Sequence, residues 1–366
     1  MAKYKRQKVK RYRRSFYSRG TRIKKGIGIV VLVLAVLGAA WLAAPHVLDW
    51  ATHTWYTVVK NRDLEAESAS RAAASSEAAA SSAVQEAASS QPEPEQPKEL
   101  DGKAITGGSW AAVDVSTLAD DAAIRAAAQQ LKAQGADYGL VTLKTPDGSI
   151  CYASQVPAAA QSIADTTVDP ARIAAIFREE GIIPAAQLAA FTDPVSGYTD
   201  RSMAVHYSGT QLWLDNVSAK AGGKSWLDPS AASAVQYVGD LIDELHGMGF
   251  EQVVLTGVQF PNIITRKQEF AAAGGKSQEG RAALLAADIS TWQARFDGSV
   301  VLWLSYPAQQ CTDASDALGA PAVSLGMHNL IVTADTLDAA ARGQLQQSAA
   351  EAGVQNVVIC STESFQ

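Results

Sequence analysis

Residues 252–260 read QVVLTGVQF, an apolar run too short for a helix and without the polar alternation of a half-exposed strand. Such a run fits a strand covered on both faces, the habit of parallel sheets. Amphipathic segments flank it. Val235, Val238, Leu241, Ile242 and Leu245 share one helical face before it, and Leu285, Ile289, Trp292 and Phe296 share another after it. A second run, SVVLWLSY (299–306), follows that helix.

Further runs extend the alternation in both directions. They are AAVDVS (111–116), YGLVTL (138–143), IIPAAQLAAF (182–191), QLWLD (211–215), NLIVTA (329–334) and NVVICST (356–362). Eight runs over about 260 residues match the number and size of a (β/α)8 TIM-like barrel, expected over 105–366. QLWLD is the weakest member, being short and preceded by a helix-poor stretch from Thr192. A doubly wound open sheet is the alternative, but no glycine-rich phosphate loop follows AAVDVS.

The chain before residue 105 has another character. Of 31 Lys and Arg residues in the 366, 12 lie in 1–25, where no acid occurs. The remainder carries 19 basic against 37 acidic residues, a net of −18. Residues 26–44, GIGIVVLVLAVLGAAWLAA, hold no charge, and as a helix would measure roughly 28 Å, the thickness of a bilayer core. Basic residues before it and Asp49 after it predict a cytoplasmic N-terminus and an extracellular C-terminal domain. A cleaved signal peptide fits less well, because both the basic region and the apolar run are long. Residues 45–63 form a juxtamembrane segment. Residues 64–104 are rich in Ala, Ser, Glu and Pro, and are expected to be a disordered stalk. The basic tail reads as an orientation signal touching anionic lipid, so no nucleic-acid partner is expected.

In a barrel the chemistry sits at the carboxyl ends of the strands. Candidate acids there are Asp193, Asp215 and Asp114. Trp213, Trp226, Asp228, Thr256, Gln259 and Tyr306 are candidate substrate-binding residues. Tryptophan beside carboxylate, as in W-L-D at 213–215 and W-L-D-P at 226–229, suits sugars, which stack their C–H faces and donate hydroxyl protons. Asp228-Pro229 also reads as a helix N-cap with proline in the first turn. Asp193→Asn and Asp215→Asn are expected to leave folding intact. No metal spacing, cofactor motif or nucleotide loop occurs, and no cofactor is expected. The three cysteines suggest one pair outside the cell, Cys311 with Cys360, against the alternative of three unpaired thiols.

At GFEQVVLTGVQFP (249–261), LAAFTDP (188–194) and the Trp213…W-L-D-P spacing, the sequence resembles the putative glycosyl-hydrolase domain family of bacterial TIM barrels. A weaker similarity links AVDVS (112–116) to a lysozyme-like muramidase family. The main resemblance implies a carbohydrate groove and retains Asp193 and Asp228 of the family pattern. It places Thr142, Thr145 and Thr256 at acidic positions and Gln259 at an arginine position. Threonine cannot serve as a general acid near neutral pH. The resemblance therefore implies a disarmed glycosidase that binds or organises cell-envelope polysaccharide. An active hydrolase using other carboxylates and a protein-interaction scaffold are the competing readings.

Overall fold

In a computed structural model of the protein, residues 108–262 and 267–362, with Phe365, are described. The expected cytoplasmic tail, membrane span and stalk lie outside these residues. No helix among the described residues is long and apolar enough to cross a membrane.

The chain alternates strand and helix as the apolar runs predict. The strands are β1 (Trp110–Val113), β2 (Tyr138–Lys144), β3 (Ile150–Tyr152), β4 (Ile163–Val168), β5 (Ile183–Ala189), β6 (His206–Tyr207), β7 (Gln211–Leu212), β8 (Gln252–Thr256), β9 (Gln268–Glu269), β10 (Val301–Pro307), β11 (Asn329–Thr333) and β12 (Asn356–Cys360). The longer helices are α1 (Asp121–Ala133), α2 (Pro170–Glu179), α3 (Ala232–Gly247), α4 (Gln278–Arg295) and α5 (Ala339–Glu351).

β1, β2, β5, β8, β10, β11 and β12 pair in that order, every pair parallel. Alternate residues feed two apolar clusters. Val141, Leu143, Val253, Leu255, Leu302 and Leu304 join the helices in one. Tyr138, Leu140, Val254, Trp303, Ile331 and Val358 gather in the other. This double burial is why the strands read as unbroken apolar runs. The sheet curls strongly. β1 and β10 stand four places apart, roughly 19 Å in a flat sheet. Yet Trp110 and Trp303 meet edge to face with ring centroids 5.3 Å apart.

One expected strand is not in this sheet. β5 pairs directly with β8, and QLWLD contributes β7 to a separate three-stranded antiparallel sheet, β7–β6–β9. Only three residues separate β6 from β7, and the positive φ of Ser208 and Gly209 folds the chain back between them. The two strands therefore pair as an antiparallel hairpin, Tyr207 opposite Gln211 and His206 opposite Leu212. The crossover from β5 to β8 then carries α3.

Helix starts follow local chemistry. Asp120 accepts from Ala123 N at 2.8 Å, Asp338 from Ala341 N at 2.7 Å, and Asp169 precedes Pro170 at the head of α2. Asp228 departs from the expected cap: α3 begins at Ala232, and its capping position is Ala231, without a side-chain bond. Cys151, Cys311 and Cys360 are all buried and free, so the expected Cys311–Cys360 pair gives way to its alternative of unpaired thiols.

Candidate functional site

A cavity of about 350 Å³ opens at the carboxyl ends of β2, β5 and β8. Pro146 follows β2, Thr192 and Pro194 follow β5, and Thr256 ends β8. Gly257, Gln259 and Asn262 continue from β8. The remaining wall is the hairpin insert, through Asp215, Lys224, Ser225 and Trp226.

Backbone hydrogen bonds tie the insert to the chain just after β5 and hold its own parts together. Leu227 N donates to Phe191 O at 3.0 Å, Asp228 N to Met203 O at 2.7 Å, and Trp213 N to Val205 O at 2.9 Å. Asp215 closes the 215–224 loop: one carboxylate oxygen accepts from Lys224 N at 2.7 Å, the other from Trp226 Nε1 at 3.0 Å. Across the cavity, Gln259 Nε2 donates to Asn262 Oδ1 at 2.7 Å. Tyr306, buried below, steadies this loop by donating from its hydroxyl to Val258 O at 2.9 Å. Gly257 is required here. Its φ is +63°, and a Cβ would stand 2.9 Å from Thr192 Oγ1.

The predicted residues divide sharply. Asp215, Trp226, Thr256 and Gln259 line the cavity together. Asp193 lies beneath it with no exposed surface. Its Oδ1 accepts from Val195 N at 2.9 Å and Ser196 N at 2.8 Å, and its Oδ2 accepts from Ser196 Oγ at 2.7 Å. Lys144 Nζ is paired with Oδ2 at 3.0 Å and also donates to Ala189 O at 2.7 Å. Burial works to raise this carboxyl's pKa. The Lys144 charge and the bonds from Ser196 and Val195 outweigh it and hold the group below the usual carboxylate range. With both oxygens occupied and no solvent access, Asp193 supports the loop after β5 and is out of reach of a substrate.

Asp114 is exposed, accepts from Ser116 N at 2.9 Å, and caps the turn Val115–Thr117 rather than lining the cavity. Trp213 is buried under the insert. Asp228 is buried too: one oxygen accepts from Ser230 N at 2.9 Å, the other from Ala271 N at 2.6 Å. It staples two loops together, and burial raises its pKa against those bonds. Sequence reasoning passed over Lys144. A charge closing the run YGLVTLK was its only signal, since a lysine whose side chain turns into the sheet's core must find a buried partner.

Among the described residues lining the cavity there is one carboxylate, Asp215, one ammonium, Lys224, and otherwise hydroxyls, amides and apolar surface. No group of three side chains among the described residues could hold a metal ion. Such a lining offers hydrogen bonds to a polyhydroxylated ligand, with the Trp226 edge as an apolar patch.

The profile of the family described as "Putative glycosyl hydrolase domain" matches residues 113–301, just over half of the chain. No curated protein matches the sequence. Among solved structures, a hypothetical protein from Ruminiclostridium thermocellum ATCC 27405 is 21% identical, with 53% of this chain and 96% of that one covered at a TM-score of 0.45. An α-galactosidase from Thermus thermophilus is 14% identical, covering 66% and 46% at 0.41. A GH20 β-N-acetylhexosaminidase from Streptomyces coelicolor A3(2) is 11% identical, covering 70% and 49% at 0.45. The chain thus spans about half the length of these two glycosidases, and at such TM-scores the likenesses carry no further argument.

Proposed function

Because the chain belongs to the putative glycosyl hydrolase domain family, we propose that its glycosyl hydrolase-like domain binds envelope carbohydrate in this cavity without cleaving it. The curled parallel sheet is then a TIM-like barrel in which a hairpin insert stands for the fourth strand, and the Trp110–Trp303 contact across its interior supports that reading. The domain is held outside the cell by a membrane span at 26–44 and the stalk at 64–104.

One observation carries the proposal. Glycoside hydrolysis by the common route needs two carboxyl groups facing the same bond. The described lining of the cavity supplies one, Asp215, and both of its oxygens already hold the loop closed. Thr256 and Gln259 can exchange hydrogen bonds with sugar hydroxyls but cannot deliver a proton to a leaving oxygen near neutral pH. Binding therefore remains when turnover is gone.

The test is retention of the purified full-length chain on cell-wall polysaccharide, with product analysis of the supernatant. We expect retention, no reducing ends, and about five- to tenfold weaker retention for Gln259→Ala, as for one lost ligand hydrogen bond. Release of reducing sugar that disappears in Asp215→Asn would make the protein an active hydrolase. Absence of retention on any polysaccharide would leave the protein-scaffold reading.

A further inference from the structure

A second cavity, of about 420 Å³, shares no lining residue with the first and lies in the groove between α3 and α4. Val235, Leu284 and Trp292 give it apolar walls, and Asp288 and Arg295 project to it from α4. Asp288 is 9% exposed, and its Oδ2 is sealed without a hydrogen-bond partner. Arg295 does not neutralise it: its guanidinium is paired with Asp240 at 2.8 Å and also with Asp243, both on α3.

Helix packing alone does not call for an acid here. Burying a carboxyl without a partner is costly, and on the helix-facing side of α4 an apolar residue would pack at no such penalty. The neighbouring helix residues Leu285, Ile289 and Trp292 show what that packing looks like. The charged groups round the groove are Asp288 and Arg295 from α4, Asp240 and Asp243 from α3, and Asp228 from the loop before α3. Even with Asp288 uncharged, the other three carboxyls outnumber the one guanidinium, so the groove's field favours a cation.

We propose that the α3–α4 groove is a binding site for a small organic ammonium, whose charged head pairs with Asp288 and whose apolar body lies along Val235, Leu284 and Trp292. At about 420 Å³ the cavity is at the small end of ordinary ligand pockets and suits a small ligand. In the empty site Asp288 is a neutral acid at pH 7. Burial first, and Asp228 second, push its carboxyl up to about 8. An ammonium that binds must displace that proton, so binding at pH 7 releases close to one proton, and affinity rises with pH toward 9. Displacing the proton weakens the apparent affinity at pH 7 by about tenfold relative to the ionised site.

The experiment is calorimetric titration of the full-length chain with 2-phenylethylammonium, in phosphate and in HEPES, which differ in ionisation enthalpy and carry no competing primary amine. The neutral isostere 2-phenylethanol is the control. We expect binding of the ammonium, tighter at pH 8.5 than at pH 6.5 by at least tenfold, with net proton release at pH 7 and no comparable binding of the alcohol. Asp288→Asn keeps the shape and removes the charge, so it should weaken ammonium binding at least tenfold and abolish proton release. Its thermal midpoint should be no lower than that of the parent, because no folded-state partner is lost. Equal binding by parent and Asp288→Asn, equal binding of alcohol and ammonium, or no binding at millimolar probe would each overturn the proposal. The proton count is read on the parent protein alone, so the idea stays testable even if the variant folds poorly.

Discussion

Asp193 shows how one side chain's surroundings decide its work. As a sequence letter it is a carboxylate at a strand end, and Asp193→Asn was expected to leave folding intact. Its burial against Lys144 reverses that expectation. Removing one member of a buried pair strands the other, at a cost of about 3–5 kcal/mol. Asp193→Asn should therefore lower the unfolding free energy by on the order of 3 kcal/mol at pH 7, measured by urea denaturation. The pH dependence has a definite sign. The folded carboxyl sits below its unfolded value, so its stabilisation is present above about pH 4 and is lost as pH falls through the folded value. The variant should lack that acid-side loss. A change under about 1 kcal/mol would mean that the pair contributes little. Thr256 and Gln259 meet at the cavity as expected because they end and follow a strand of the sheet, whereas Asp215 and Trp226 reach it from the hairpin insert and not from the strand end expected for them. The sequence did not reveal that Asp193, one residue from the cavity-lining Thr192, turns inward. Which of two adjacent side chains faces solvent depends on the backbone after β5, and the turn at Val195–Ser196 that captures the carboxylate has no signature of its own.

At the scale of the element, seven of the eight apolar runs became parallel strands of one sheet, whereas QLWLD was captured by the tight turn at Ser208 and Gly209, which pairs it antiparallel with β6. The resulting hairpin insert depends on Asp215 to shape its loop, and so offers a direct test. Trp226→Phe keeps the ring's bulk but removes the Nε1–H donated to Asp215. The carboxylate loses one of its two anchors, at about 1 kcal/mol or slightly more. Limited trypsinolysis should then cut at Lys220 or Lys224 several-fold faster than in the parent, with mass spectrometry locating the cut. An unchanged cleavage rate would show that the loop holds its shape without this bond. Asp120, Asp169 and Asp338 cap their helices in the ordinary way, an aspartate before the first turn, but the one cap expected from the sequence, Asp228, does not. Asp228 misled because Ser230 and Ala271 compete for the same oxygens.

At the scale of the molecule, the charge pattern and the fold belong together. A basic segment, an uncharged span and an acidic remainder divide the sequence into parts that suit opposite sides of a bilayer. Protease added to intact cells should release the C-terminal domain while an epitope placed on residue 1 remains protected. Release of the epitope as well, or a mature chain beginning near residue 45, would refute the anchored topology.

One wall of the cavity at the carboxyl ends of the strands is contributed by a segment outside the main ladder of parallel strands. Residues in that panel can be exchanged without shifting the register of any strand it rests on. On the proposed reading, ligand choice rests on the insert's cavity-facing residues, while its buried Met203 and Leu227 belong to the main core, so relatives with the same scaffold are free to diverge in the former alone.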